Sequence, residues 1–294
     1  MNNKTIITKI IKLLEQNYVF PKKIKKLKKK LLLNLSNGIY DNLLSIDLYK
    51  LLKEKILSIL HDKHIRIRPI NKNKKKKPNK FNVDEWLKTR IINKKIGYVY
   101  IDGFIGFERT KEIIIPHTIK QFNHIKNCPI IVFDLRKNGG GDPKMVQFLQ
   151  SFLFKKKVIL NKIYWRIKRT SNYTITKYKS YNKKELSDLT QIDDLPLLYK
   201  QKVYVLTSKR TFSAAEEFTY NIQSRKRGKI IGEITGGGAN PRGSFEINNK
   251  IGIFIPIGYA KNPITKTNWE GKGVKPDVII DESQALSYIK NKYK

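Results

Sequence analysis

The stretch VYVLTSKRTFSAAEEFTYNIQ, residues 203–223, changes character twice. Val203-Tyr204-Val205-Leu206 is a short apolar run and reads as a buried strand. Thr207-Ser208-Lys209-Arg210-Thr211 is a polar turn. From Phe212 the chain is rich in helix formers, and Glu216 and Glu217 fall in the first turn, where acids suit the helix dipole. Ser213 therefore stands at a strand-to-helix turn. There its hydroxyl can project from the end of a sheet, beside helix amides able to support a developing oxyanion. An ordinary N-cap serine is the alternative reading of the same position.

Outward from this stretch, strands and helices alternate. Ile96–Ile101 and Pro129–Leu135 read as strands, and the second runs into Arg136-Lys137-Asn138-Gly139-Gly140-Gly141. The period of residues 113–125 predicts a helix, and Asp142-Pro143 opens another that reaches Phe154. Strands are expected at 158–167 and 230–232, the latter leading to Thr235-Gly236-Gly237-Gly238. A polar connection is expected over 170–189. A hairpin is expected from 244–247 and 252–257 around Asn248-Asn249-Lys250, and a last helix over 282–290. Alternating elements of this kind make an α/β domain. Before it, apolar residues on a helical period predict helices over 5–18, 22–36 and 47–60. His61-Asp62-Lys63-His64 follows, then an alternating strand at 65–68, a basic loop at 71–80, and a short helix or extended segment at 81–87. The expected organisation is a small N-terminal helical subdomain (1–64), a linker with a connecting strand (65–95) and a catalytic-type α/β domain (96–294).

Composition narrows the function. The net charge is +37, but of 61 basic residues 11 are Arg and the other 50 Lys. Arginine is the side chain suited to bidentate phosphate and base contacts. Here it is scarce, and the lysines are scattered among Asn and Ile, a pattern expected of compositional drift rather than of a nucleic-acid surface. Lys74–Lys77, the densest basic run, reads as a solvated loop. No nucleic-acid partner is expected. The single cysteine, Cys128, excludes an intrachain disulfide and reads as a small buried residue. Residues 5–18 are broken by Lys9 and Lys12 and do not read as a signal peptide. No stretch is apolar and long enough to span a bilayer. The default compartment is the cytoplasm. One cysteine and four scattered histidines make no zinc pattern, so no metal or other cofactor is expected.

Hydrolysis by a serine needs a base and a set of oxyanion amides. A glycine run lets main-chain amides approach a reacting carbonyl, and Gly139-Gly140-Gly141 offers one; a tight strand-to-helix turn would use the same residues. Of the histidines, His117 and His124 lie within a helical stretch. His61 and His64 are both placed to act as a base, and spacing does not choose between them.

Taken in order, four motifs resemble those of the tail-specific, or C-terminal-processing, serine peptidases. They are Asp62-Lys63-His64, Asp134-Leu135-Arg136-Lys137-Asn138-Gly139-Gly140-Gly141, Thr211-Phe212-Ser213-Ala214-Ala215-Glu216, and Trp269-Glu270-Gly271-Lys272-Gly273-Val274-Lys275-Pro276-Asp277-Val278. With Asn17-Tyr18-Val19-Phe20-Pro21, the helical N-terminal part resembles the branch that includes the interphotoreceptor retinoid-binding protein modules. Tricorn protease and the chlamydial secreted protease are more distant relatives. The resemblance implies a crotonase/Clp-protease-like core of stacked strands and helices. It implies Ser213 as nucleophile, His64 as general base, leaving His61 as a helix-end residue, and Glu270 as the acid that orients the histidine. It also implies oxyanion amides from Ala214 and Gly140, with Asn138, Gly139 and Gly141 shaping the loop, and a protein or peptide as substrate.

Two departures are informative. Gly238 stands where the serine–lysine members of the family carry their lysine, which favours the histidine-based triad. Residues 65–95 are too few to hold a PDZ module, so capture of a substrate tail by such a module is not expected. Many relatives act outside the cytoplasm, so the resemblance also allows an extracytoplasmic compartment. The implied activity is that of a serine endopeptidase working through an acyl-enzyme. The alternative is a non-catalytic binding module of the same fold that holds a peptide or an apolar ligand, since fold alone does not decide function.

Overall fold

The computed structural model describes residues 2–70 and 81–294; the basic loop expected at 71–80, with Lys74–Lys77, lies outside the described residues. The elements in chain order are α1 (Asn3–Asn17), α2 (Pro21–Ser36), α3 (Ser45–Leu60), β1 (Arg66–Pro69), α4 (Val83–Trp86), β2 (Leu87–Ile92), β3 (Ile96–Ile101), α5 (Phe107–Ile125), β4 (Ile130–Asp134), α6 (Pro143–Ser151), β5 (Ile159–Arg166), β6 (Tyr173–Lys179), α7 (Lys183–Thr190), β7 (Lys202–Thr207), α8 (Ala214–Ser224), β8 (Gly228–Gly232), β9 (Arg242–Glu246), β10 (Ile251–Pro256), β11 (Gly258–Lys261), β12 (Val278–Ile279) and α9 (Ala285–Lys292). This is the α/β architecture the sequence predicts, with its helical N-terminal part. No helix among the described residues is long and apolar enough to cross a membrane.

The chain forms two compact units, each discontinuous. The first comprises 2–70, 163–176 and 240–260, and the second 81–162, 177–239 and 261–294. These differ from the contiguous ranges expected from the sequence, because residues 240–260 return to the N-terminal segment. In the first unit, β1 pairs antiparallel with β10, and β10 with β9. The buried faces of α1, α2 and α3 and the isoleucines of β10 (Ile251, Ile253, Ile255) share one apolar core with Leu14, Leu27, Leu52 and Ile56. Asn2 caps α1, its side chain accepting from the Thr5 amide, and Pro21 sits at the start of α2, where a missing N–H costs nothing.

The second unit is built on a six-stranded sheet of order β12-β8-β7-β4-β3-β2. Strands β12, β8, β7, β4 and β3 run parallel, and β2 pairs antiparallel with β3 at the edge. The parallel strands β4 and β7 carry unbroken apolar runs, Ile130–Phe133 and Val203–Leu206, because both faces are covered. One face packs on α5, α6 and α8 through Phe122, Phe148, Phe152 and Phe218, the other on α9 through Ala285 and Ile289. Strand β2 lies inside the span expected to be a linker; it continues the sheet after the short helix α4. Likewise β6 and α7 replace the polar connection expected over 170–189.

Helix α8 is fixed by Phe218, fully buried and in ring contact with Phe104 (5.9 Å) and Phe133 (5.2 Å). Phe218→Ala should lower unfolding free energy by about 3–5 kcal/mol, the usual cost of emptying a buried aromatic site. Urea-unfolding midpoints of the two proteins measure this.

Candidate active site

At the C-terminal end of β7 the chain turns sharply, and Ser213 sits half-buried at the N-cap of α8 with φ 58° and ψ −120°. A non-glycine residue at positive φ is uncommon, and one so far from the left-handed helical region carries strain of order 1–3 kcal/mol. The surroundings impose it. The Ser213 amide donates to Glu216 Oε2 at 2.9 Å, the Phe212 amide to the Asn138 carbonyl at 3.1 Å, and the Thr211 hydroxyl to the Leu135 carbonyl at 2.8 Å. A plain N-cap serine needs none of this strain.

The glycine loop lies directly against the Ser213 turn. A Cβ on Gly140 would fall 2.5 Å from the Phe212 carbonyl oxygen, 2.7 Å from Ser213 Cβ and 2.8 Å from the Ala214 amide nitrogen, and Gly140 has φ 96°. Gly141, at φ 140°, passes so close to Phe104 that a Cβ would fall 1.8 Å from its carbonyl oxygen. Both positions therefore require glycine; Gly139 is exposed and open. Buried Asn138 holds the loop in place, donating through Nδ2 to the Ile101 carbonyl (3.1 Å) and accepting at Oδ1 from the Gly140 amide (2.9 Å). In this state the Gly140 amide is engaged by Asn138. Upstream, buried Asp134 accepts from the Tyr98 hydroxyl and from Arg136, and Arg136 reaches on to the Glu282 carbonyl. The Asp-Leu-Arg residues thus anchor the strand end.

Glu216 is the residue whose role the sequence reading missed. It lies fully buried one turn into α8. Oε2 accepts from the Ser213 amide and from the Gly238 amide (2.8 Å). Oε1 accepts from the Gly237 amide (2.6 Å) and the Thr235 hydroxyl. Burial pushes its carboxyl above the usual range, while these bonds to Thr235, Gly238, Gly237 and Ser213 pull the other way. The signal was present in the spacing Ser213-x-x-Glu216, that of a capping box. The same 235–239 loop is laced to the next motif. Trp269 Nε1 donates to the Gly238 carbonyl (2.8 Å), the Gly271 amide to the Gly237 carbonyl (3.0 Å), and the Ala239 amide to Glu270 Oε2 (2.6 Å). Within the second unit, then, Ser213, Ala214, the Asn138–Gly141 loop and Glu270 are joined by one hydrogen-bonded framework.

His64 belongs to the first unit, on the turn between α3 and β1. His61 is the C-cap of α3 in the left-handed conformation, a helix-end residue. Asp62 shapes the turn: fully buried, it accepts from the His64 amide (3.2 Å), Asn240 Nδ2 (2.8 Å) and the Tyr18 hydroxyl (3.4 Å). Burial, and then the charges of Arg242 and Arg66, lower the His64 pKa from 6.5 to about 4. The imidazole is therefore neutral over the whole neutral range. Of the other histidines, His117 is a buried helix residue with Nε2 at 2.8 Å from the Leu87 carbonyl, and His124 lies beside Thr89. Cys128 is buried and free.

The low His64 pKa has a consequence for stability. The unfolded chain takes up a proton near pH 6.5 that the folded one refuses until about pH 4. The contribution is complete above pH 6.5 and is lost as pH falls to about 4, in total roughly 3 kcal/mol. Thermal melts of wild type and His64→Asn across pH 4–8 should converge toward the acid end, the wild type losing the extra stability.

A model of peptidase family S41 matches residues 95–280, and one of the N-terminal domain of that family in eukaryotic interphotoreceptor retinoid-binding protein matches residues 2–95. Among solved structures, a putative peptidase from Parabacteroides merdae is similar over 100% of this chain and 98% of its own, at 17% identity and a TM-score of 0.71. A lipoprotein from Streptococcus agalactiae is similar over 99% and 96%, at 16% identity and TM-score 0.61. A putative S41 protease from Bacteroides fragilis is similar over 68% of this chain and 51% of its own, at 22% identity and TM-score 0.53. At these identities the likeness is one of fold.

Proposed function

Since the chain belongs to peptidase family S41, we propose that it is a serine endopeptidase acting on protein or peptide substrates through a Ser213–His64–Glu270 triad. The observation that carries the reading is the strained Ser213 backbone, held at the end of β7 with the glycine loop pressed against it. An unstrained serine cap would serve a helix as well, so the strain has its reason in presenting the hydroxyl.

In this mechanism His64 takes the proton of Ser213 as the hydroxyl oxygen attacks the substrate carbonyl. The tetrahedral oxyanion accepts hydrogen bonds from the amides of Ala214 and Gly140, the latter released by Asn138 as the substrate enters. His64 then returns the proton to the leaving amine. Water hydrolyses the acyl-enzyme by the reverse sequence of proton transfers, and Glu270 orients the imidazole and stabilises its charged form. Glycine at 238 leaves the loop that faces Glu216 without a lysine amine, so a serine–lysine mechanism has no base at that position. Neither a metal nor an organic cofactor enters this scheme, and no nucleic-acid partner is proposed.

A fluorophosphonate probe tests the triad directly. Wild type should label on Ser213, with no labelling of Ser213→Ala. The rate should fall by about a hundredfold or more in His64→Ala, with a smaller loss in Glu270→Gln. Failure of folded wild-type protein to label at Ser213 would overturn the reading in favour of a binding module. A second prediction isolates the glycine loop. Gly140→Ala must displace either the loop or the Ser213 turn, and should slow labelling by about a hundredfold, while Gly139→Ala, where there is room, leaves it unchanged.

A further inference from the structure

Arginine is rare in this chain, and several of its guanidinium groups serve the fold. Arg136 holds Asp134 and Arg227 holds the carbonyls of Leu153, Leu198 and Gln201; Arg166 holds those of Glu15, Tyr18 and Thr170. Three others lie together on one sheet of the first unit. Arg66 and Arg68 alternate along β1, and Arg242 lies on β9. The register places Arg66 opposite Phe254, Phe254 opposite Ser244, and Arg242 one alternation from Ser244. Directly opposed and alternate residues share a face, so the three arginines, Phe254, Ser244 and Glu246 all project from the side opposite Ile67, Ile253 and Ile255. The arginines are exposed. Arg242 stacks on the Phe254 ring at 3.4 Å and Arg68 at 4.1 Å, and Arg68 Nη2 donates to Ser244 Oγ at 3.4 Å.

We infer that this outer face of the β1-β10-β9 sheet is a recognition site for an extended peptide segment with acidic side chains at alternate positions. The chemistry is that of the planar guanidinium fork, which takes carboxylates bidentately and which a lysine does not reproduce. Stacking on Phe254 fixes two of the forks before any ligand arrives, so little order is lost on binding. Alternate residues of β1 stand about 6.6 Å apart, the same interval as alternate side chains of an extended ligand. Arg68 and Arg242 each present a fork beside the Phe254 ring, and two forks call for two carboxylates, whereas a chain terminus supplies one. Like charge is crowded here: after burial, Arg66 and Arg68 are what lower the Arg242 pKa, and bound carboxylates would relieve that repulsion. Arg242 and Arg66 are also the charges that act on His64, so the face adjoins the base. Glu246, on the same face, supplies one carboxylate from within the chain. Calling the occupant a substrate rests on the peptidase reading; its binding does not.

The test uses the full chain carrying Ser213→Ala, so that nothing is cleaved, and fluorescence anisotropy with three tetramethylrhodamine-labelled nonapeptides of Gly, Ser and Leu. One is amidated with Asp at two alternate central positions, one is neutral with a free C-terminal carboxylate, and one is neutral and amidated. The diacidic peptide should bind at least about tenfold more tightly than either neutral-bodied peptide. That preference should vanish in R66Q/R68Q/R242Q and weaken several-fold in R66K/R68K/R242K, which keeps the charge and, as circular dichroism would verify, the fold. A control, K25Q/K26Q/K29Q on α2, should bind like the parent. Equal binding of all three peptides, preference for the free terminus, full binding by the lysine variant, or an equal loss in the α2 control would each overturn the inference. A Ser213 that labels normally beside a failed binding test would leave the peptidase reading standing alone.

Discussion

The buried carboxylate of Glu216 is the constraint on which the candidate site depends. It is fully buried, where an unpaired charge would cost several kcal/mol, roughly, and four donors from two segments of chain converge on it. One of those donors is the amide of Ser213. The others come from residues 235–238, whose far side carries the bond between Ala239 and Glu270. A single side chain therefore sets both the Ser213 turn and the loop that bonds to Glu270. The glycine loop has a parallel anchor in Asn138, which ties β3 and the Ser213 turn together.

Much of this was legible in the chain, for identifiable physical reasons. Strands covered on both faces carry unbroken apolar runs, so β4 and β7 announce themselves, and the helical period of α1–α3 is strong because one stripe of each enters a core. Strand β2 was not legible. It is an edge strand with one exposed face, and Lys88, Thr89 and Arg90 interrupt its apolar pattern. Strand β6 is hidden in the same way, being exposed along most of its length. Helix α7 is largely polar, although its capping box of Asn182 and Glu185 was written in the sequence.

At the site, the residue types were readable and the reasons for them were not. Gly140 and Gly141 could be suspected from a run of three, but that each is forced by a close backbone approach is a fact of three dimensions. Glu216 reads as a helix-dipole acid until its burial is known. The φ of Ser213 has no signature in composition at all. Conversely, the arginines at 66, 68 and 242 looked like part of a diffuse excess of charge. Strand register, which sequence separation conceals, is what gathers them.

The return of residues 240–260 to the N-terminal unit bears on how the protein comes off the ribosome. Helices α1–α3 emerge well before the isoleucines of β10 that complete their core, which are synthesised after most of the second unit. Until then the apolar stripes of the helices and the unpaired edge of β1 have no permanent cover. A nascent or prematurely terminated chain thus carries an isoleucine- and leucine-rich surface, and the dense lysines on its outer faces become its defence, since like-charged chains repel before they aggregate.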